Sequence, residues 1–486
     1  MSTLKPYWQN YIDGEFCDGG AGRLAVENPA TGEKLAEQAL ADAADIDRAV
    51  MAARRCHESG VLFALRPVER GRMVRAMGDY FTANMDKIAE VLTLESGKPL
   101  WEAKAEVAEA ARYFEYYGNQ AETLEGRSIP LGASYLDFTV LEPYGVSAQI
   151  IPWNFPLQIA ARSLAAGLAC ANACVVKTPE LDPLSSGFFA DAARHAGLPA
   201  GAVNILCGLG HEAGAALAAH PQINQTVFTG SIETGAAIAT AAAQNIVPCV
   251  LELGGKSAAI ACRDADISTL AASVRKGIFL NAGQVCSAMS RLIVHEDIHD
   301  QVVEAVVEVA RSLSVGPGIE RTGFGPNMGA MISQKQRDRA ATMCEEAQRA
   351  GARVATGAHR LNRPGYFLEP TVFTAVEPDM DIAQTEVFGP VLSVMKYRSE
   401  DEALAIANGT KYGLVAGVFT ADINHATGLA RKLRAGQVFV NEWFAGGVET
   451  PFGGYGKSGY GREKGRAALM NYVQTKNIAI ATGKGL

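Results

Sequence analysis

"VFTGSIETG", residues 227–235, passes from an apolar, β-branched run through Gly230 into a polar turn and then an alanine-rich stretch. That order reads as a strand, a tight turn and the start of a helix. Working outward, the alternation recurs. "ACVVK" (173–177) precedes a helix expected over 183–196, and "AVNIL" (202–206) precedes one near 211–219. "QTVF" (225–228) precedes one over 232–244, and "PCVLEL" (248–253) follows. Short strands alternating with helices imply βαβ crossovers and a parallel, doubly wound sheet, so the fold class is α/β. A second alternating series runs from "SAAIAC" at Ser257 to "GQVFVN" at Gly436, giving two α/β domains joined near Gly254–Gly255. Upstream, residues 42–59 and 67–96 have the apolar spacing of amphipathic helices, the second ended by Gly97 and Pro99. Residues 136–153 switch to strand-like runs.

The composition narrows the function. The chain has 486 residues, 48% hydrophobic and 20% charged, which suits a soluble globular protein of two or three domains. A net charge of −8 without a basic run argues against nucleic acid or an anionic membrane as partner. The longest apolar stretch, "LAAGLACANACVV", is too short to span a bilayer, and the N-terminus lacks a signal-peptide core. Nine scattered cysteines suggest a reducing compartment, and a cytoplasmic location is expected. Cys170 and Cys174 are read as packing, with no metal site expected.

Four stretches carry chemistry. "FLNAGQVCSAMSR" (279–291) places Cys286 on a polar connection between a helix-like run and the strand-like "RLIVH", where reactive groups are often displayed. Free cysteine is also among the most buried residue types, so packing is the competing reading. Gly230 and Gly235 in the opening stretch have the G-x-x-x-x-G spacing, neither a dinucleotide fingerprint nor a P-loop. A helix start there binds phosphate, or the turn simply needs glycine; "CGLGHEAG" (207–214) is a weaker competitor. "LELGGKS" sets Glu252 at a strand end, either as a solvated acid or as a buried general base. In "IIPWNFPLQ" (150–158), Pro152 and Pro156 stiffen the chain around Asn154. Its amide either completes a turn or serves as an oxyanion donor.

Together and in order, "PWNFP", "VVKTPE", "FTGS", "LELGGKS", "NAGQVCS", "EVFGP" and "PFGGYGKSGYGRE" resemble the NAD(P)-dependent aldehyde dehydrogenase superfamily over nearly the whole chain. The resemblance implies that Cys286 is the nucleophile, Asn154 the oxyanion donor and Glu252 the base that activates water. It implies cofactor contacts from Trp153, Lys177, Glu180, Gly230, Ser231, Gly235, Glu386 and Phe388. The implied architecture is a Rossmann-like cofactor domain (1–123 and 144–254), a catalytic domain (255–452) and a β oligomerisation element (124–143 and 470–486). A homodimer or homotetramer is expected, since an unpaired edge strand invites association. NAD is expected over NADP, because the Glu180 carboxylate suits a ribose hydroxyl and repels a phosphate.

Rival readings are a non-catalytic member, a CoA-acylating dehydrogenase and a cysteine hydrolase. Cys286, Glu252 and Asn154 are all present, which argues against the first. Acylating relatives generally lack the glutamate at position 252, and the cofactor motifs argue against the third. The aldehyde is the open question. Arg162, eight residues after Asn154, matches a carboxylate-binding arginine of succinic-semialdehyde dehydrogenases, so an NADP-linked semialdehyde enzyme is the alternative. Their second arginine falls on Leu280 here, and their serine before "PFGG" on Gly446. Trp443 and Phe444 lie in a segment that often lines the substrate tunnel, where aromatic walls suit an apolar, aromatic or quaternary-ammonium aldehyde.

Overall fold

The computed structural model describes residues 4–323, 325 and 327–483. Residues 1–3, 324, 326 and 484–486 of the expected domain segments lie outside the described residues. Two sheets dominate. The first has eight strands; its centre is the parallel set Cys249–Leu253, Gln225–Gly230, Val146–Ile150, Ala173–Thr178 and Val203–Cys207, in that order. Short antiparallel strands close both edges: Gly459–Tyr460 beside Cys249–Leu253, and Asn10–Ile12 with Glu15–Cys17 beside Val203–Cys207. The central strands are almost wholly buried, as expected of a parallel sheet covered on both faces. Strand order reverses between Val146–Ile150 and Gln225–Gly230, and a crevice opens at the carboxyl ends of strands at such a switch point.

The second sheet has seven strands and a separate hydrophobic cluster. Arg291–His295 lies between Ala258–Ala261 and Val391–Tyr397, all parallel. The carboxyl ends of the first sheet face the loops that enter Arg291–His295 and Val391–Tyr397. A third sheet joins Val473–Ala481 to Tyr135–Pro143 over nine antiparallel pairs, with Ser128–Ile129 on its far edge. Val473–Ala481 is left as a largely exposed edge strand.

The helix expectations hold with local differences. Ile232–Gln244 forms as expected, and Gly97 ends Met85–Ser96 with φ of 80°. The single helix expected over 67–96 is two, Pro67–Ala83 and Met85–Ser96. Asn84 divides them because its amide donates to the Tyr80 carbonyl at 2.9 Å and satisfies the first helix's end. The segment 183–196 is a short 3₁₀ turn followed by Phe188–His195. A wide π turn, Gly210–Gly214, precedes the helical turn Ala215–Ala218.

Candidate active site

A cleft of about 460 Å³ lies between the two sheets. Trp153 and Asn154 reach it from just beyond Val146–Ile150, Gly230 and Ser231 from the end of Gln225–Gly230, and Glu252 from Cys249–Leu253. Cys286 and Glu386 enter from the facing loops. Trp153, Asn154, Gly230, Ser231, Glu252, Cys286, Glu386 and Phe388 thus converge from five chain segments, whereas Arg162, Lys177, Glu180, Gly235 and Leu280 do not line the cleft.

The Cys286 loop is held in an unusual backbone. Asn281, Ala282 and Gly283 are successively left-handed, with φ of 49°, 51° and 73°. A Cβ on Gly283 would sit 2.1 Å from the Gly389 carbonyl oxygen, so only glycine fits there. Side chains hold the strain in place. Gln284 donates to the Asn281 carbonyl at 3.0 Å and accepts the Ile332 N–H at 3.0 Å. Asn281 N–H donates to Glu102 at 2.9 Å, and Trp443 Nε1 donates to the Ser287 carbonyl at 3.1 Å. Burial, then the charges of Glu386 and Glu252, push the Cys286 thiol up to about 12. The group therefore rests as a thiol and needs a proton acceptor to attack.

Asn154 is fixed from behind. Its carbonyl accepts from Lys98 Nζ at 3.0 Å and from the Asn281 amide at 2.8 Å. Its own amide donates to the Gln284 carbonyl at 3.1 Å. Lys98 forms a 2.5 Å pair with Glu106, and both side chains are buried. Glu106 also accepts the Leu157 and Gln158 N–H groups at 2.9 and 3.3 Å, at the start of Pro156–Ala169. A carboxylate at a helix N-terminus is favourably placed. Lys98, Glu102 and Glu106 had no motif to announce them. The available signal was the pair of acids one turn apart, at 102 and 106, on the Leu100–Gln120 helix.

Glu252 is the opposite case. It is buried, and neither carboxylate oxygen has a hydrogen-bond partner among the described residues. Burial holds its carboxyl well above the usual range; Arg162 opposes that and Glu463 reinforces it. A carboxyl in this state accepts a proton readily once ionised. The two glycines beyond it permit close packing across the cleft. A Cβ on Gly254 would lie 2.2 Å from Glu386 Oε2, and one on Gly255 would lie 2.4 Å from the Cys286 carbonyl oxygen. Glu386 accepts the Gly255 N–H at 3.1 Å, and its carboxyl is raised to about 7, chiefly by burial. Phe388, with φ of 56°, meets Trp153 edge-on, ring centres 5.2 Å apart.

Further along the first sheet, buried Lys177 pairs with half-buried Glu180 at 2.7 Å. Burial acts to raise the Glu180 carboxyl, but the Lys177 charge and hydrogen bond, with the Gly210 N–H, bring it below its ordinary value. Ser231 caps Ile232–Gln244 by accepting the Thr234 N–H at 3.2 Å. A Cβ on Gly235 would lie 2.5 Å from Leu253, so that glycine serves helix-on-sheet packing.

The match to known proteins fits this geometry. The family model described as "Aldehyde dehydrogenase family" covers residues 16–478. The chain belongs to the aldehyde dehydrogenase family. It is an oxidoreductase that acts on aldehydes. An aldehyde dehydrogenase of Aspergillus niger is 40% identical, covering 98% of this chain and 95% of that one. The mitochondrial benzaldehyde dehydrogenase of Antirrhinum majus is 39% identical, covering 97% and 88%. The solved NAD⁺ complex of an aldehyde dehydrogenase from Bacillus cereus superposes with a TM-score of 0.95 at 38% identity, covering 98% and 96%.

Two expectations about the substrate need correction. The Arg162 guanidinium is buried, with Nε 2.7 Å from Glu463 and Nη2 3.3 Å from the Thr229 hydroxyl, so its charge is already matched. Trp443 is fully buried and anchors the Cys286 loop instead of lining a tunnel. Phe444 remains half-buried beside Phe439, and Leu280 is half-buried where the Ile267–Phe279 helix ends. All nine cysteines are free thiols, and among the described residues no helix is long and apolar enough to cross a membrane.

Proposed function

We propose that this enzyme oxidises an aldehyde to its carboxylic acid through a thioester on Cys286, with NAD as the cofactor. The observation that carries the reading is the meeting of a buried, unbonded carboxyl (Glu252), a thiol (Cys286) and a fixed amide (Asn154) on one cleft. Bound NAD would supply the hydride acceptor. Ser231 and the helix start behind it suit the pyrophosphate, Glu180 the adenosine ribose and Glu386 the nicotinamide ribose. The cleft of about 460 Å³ lined by Gly230, Ser231, Glu386 and Phe388, with the orphaned Glu252 carboxyl on its wall, supports room for such a ligand.

Cys286 gives its proton to solvent water in the cleft, and the thiolate sulfur adds to the aldehyde carbon as the carbonyl oxygen takes up the electron pair. Asn154 donates to the developing oxyanion, and the second hydrogen bond of its amide, to the Gln284 carbonyl, keeps it from turning away. After oxidation, ionised Glu252 takes a proton from water as the water oxygen attacks the thioester carbonyl, and Cys286 leaves as thiolate. The raised Glu252 carboxyl gives the sign of the pH dependence: turnover climbs as pH rises and the group ionises. Because Arg162 is already paired, an aldehyde without a carboxylate is favoured over a semialdehyde. The exposed strand Val473–Ala481 supports assembly into a homodimer or homotetramer.

Glu252→Gln tests the assignment. Stopped-flow mixing with aldehyde and NAD should show one burst of reduced cofactor, then turnover slowed by about 10²- to 10⁴-fold. Parent-like steady-state turnover removes Glu252 from the mechanism.

A further inference from the structure

We propose that Arg162, held by Glu463, is a positioning residue that sets the working pH of Glu252. The proposal rests on Glu252 being the water-activating base. Thr229 and Glu252 are paired neighbours on adjacent parallel strands, so their side chains leave the same face of the sheet. The Arg162 guanidinium reaches that face, with Nη2 on the Thr229 hydroxyl at 3.3 Å. On its other side Glu463 fixes it through Nε at 2.7 Å. Glu463 is itself fully engaged. It accepts from Ser163 Oγ at 3.0 Å and from the buried Tyr472 hydroxyl at 3.1 Å.

The same C-terminal segment wraps Glu252. Gly459 is the cross-strand partner of Glu252, and a Cβ on Gly453 would lie 2.9 Å from Glu252 Oε1. Phe452 and Glu463 exchange two backbone hydrogen bonds, at 2.7 and 2.8 Å, which hold Glu463 against the site. The charged and titratable groups facing Glu252 are thus Arg162 and Arg462 as cations, with Glu463 and Cys286 as present or potential anions. Arg162 lacks a direct hydrogen bond to Glu252, so it acts through its field. A cation bonded directly to the carboxylate would lock it ionised and weaken it as a base. A cation tethered one group away lets Glu252 ionise without capturing it.

The test follows acid release in a single turnover across pH, with excess enzyme, NAD, and acetaldehyde or benzaldehyde, whichever the parent turns over faster. Arg162→Gln removes the cation, so the pH midpoint of acid release should move up by about one unit. Glu463→Gln keeps the shape and removes the neighbouring anion, so its midpoint should move down. Arg162→Lys, which keeps the charge, should stay near the parent. Should Arg162→Gln not fold, the downward shift of Glu463→Gln carries the test. Midpoints that stay put, or that move together, overturn the proposal. So does an Arg162→Gln enzyme whose only change is a higher KM for succinic semialdehyde, since that returns Arg162 to substrate binding. Glu252→Gln separates the two levels. If it leaves acid release unslowed, the base assignment has failed. If it slows release while both other midpoints are unmoved, only the role of Arg162 has failed.

Discussion

The wall that carries Asn154 and the wall that carries Glu252 face the same cleft and are built in opposite ways. Behind Asn154, the amide, its carbonyl, Lys98, Glu106 and Asn281 are bonded to one another or to backbone. Around Glu252, the carboxylate is packed by glycines and left without a bond among the described residues. A donor that must meet an oxyanion at one place gains from being fixed in advance. A base that must lose and regain a proton gains from an environment that holds neither form too tightly. The contrast teaches that burial alone does not define a site; what the buried group is bonded to decides its use.

The largest expected effect removes the thiol that both walls serve. Cys286→Ala should lower dehydrogenase turnover by about a thousandfold or more while NAD still binds, as fluorescence titration would show. Turnover near the parent level would leave neither wall with a reaction to support. Asn154→Ala should then slow the cofactor burst itself by about 10²- to 10³-fold, because the fixed donor acts before the thioester exists. An effect confined to steady state would erase the distinction between the walls.

Stability sharpens the same comparison. Lys98→Met strands Glu106 as a buried, unpaired acid, and a loss of about 3–5 kcal/mol in denaturant unfolding is expected. Glu252→Gln removes no bond and should unfold within about 1 kcal/mol of the parent. Equal losses in the two variants would contradict the bonded-against-free description. The smallest effect lies farthest from the chemistry. Glu180→Thr should narrow the NAD to NADP ratio of kcat/KM by about tenfold, chiefly through better use of NADP, since one like-charge contact of about 1.4 kcal/mol is lifted. An unmoved ratio assigns the preference elsewhere on the cleft.

The local signals in the sequence determined a great deal. Apolar strands alternating with helices dictated a parallel α/β architecture, because strand and helix periods are written in neighbouring residues. The turn at Gly230 and Ser231, the end at Gly97 and the helix Ile232–Gln244 are set by residues within one or two turns of one another. The ordered motifs likewise pointed to Cys286, Glu252 and Asn154. What the sequence could not show is how far-apart charges pair. Arg162 has the spacing of a substrate anchor, but its partner Glu463 lies 301 residues away and reaches it only once the C-terminal segment has folded back over Cys249–Leu253. Lys98, just ahead of the Leu100–Gln120 helix, and Glu106, on it, look like ordinary surface charges until that helix packs behind Asn154. Trp443 looks like a tunnel wall until the Ser287 carbonyl takes its N–H. A charge buried by folding must find its partner in three dimensions, and which partner it finds depends on long-range packing that neighbouring residues do not encode.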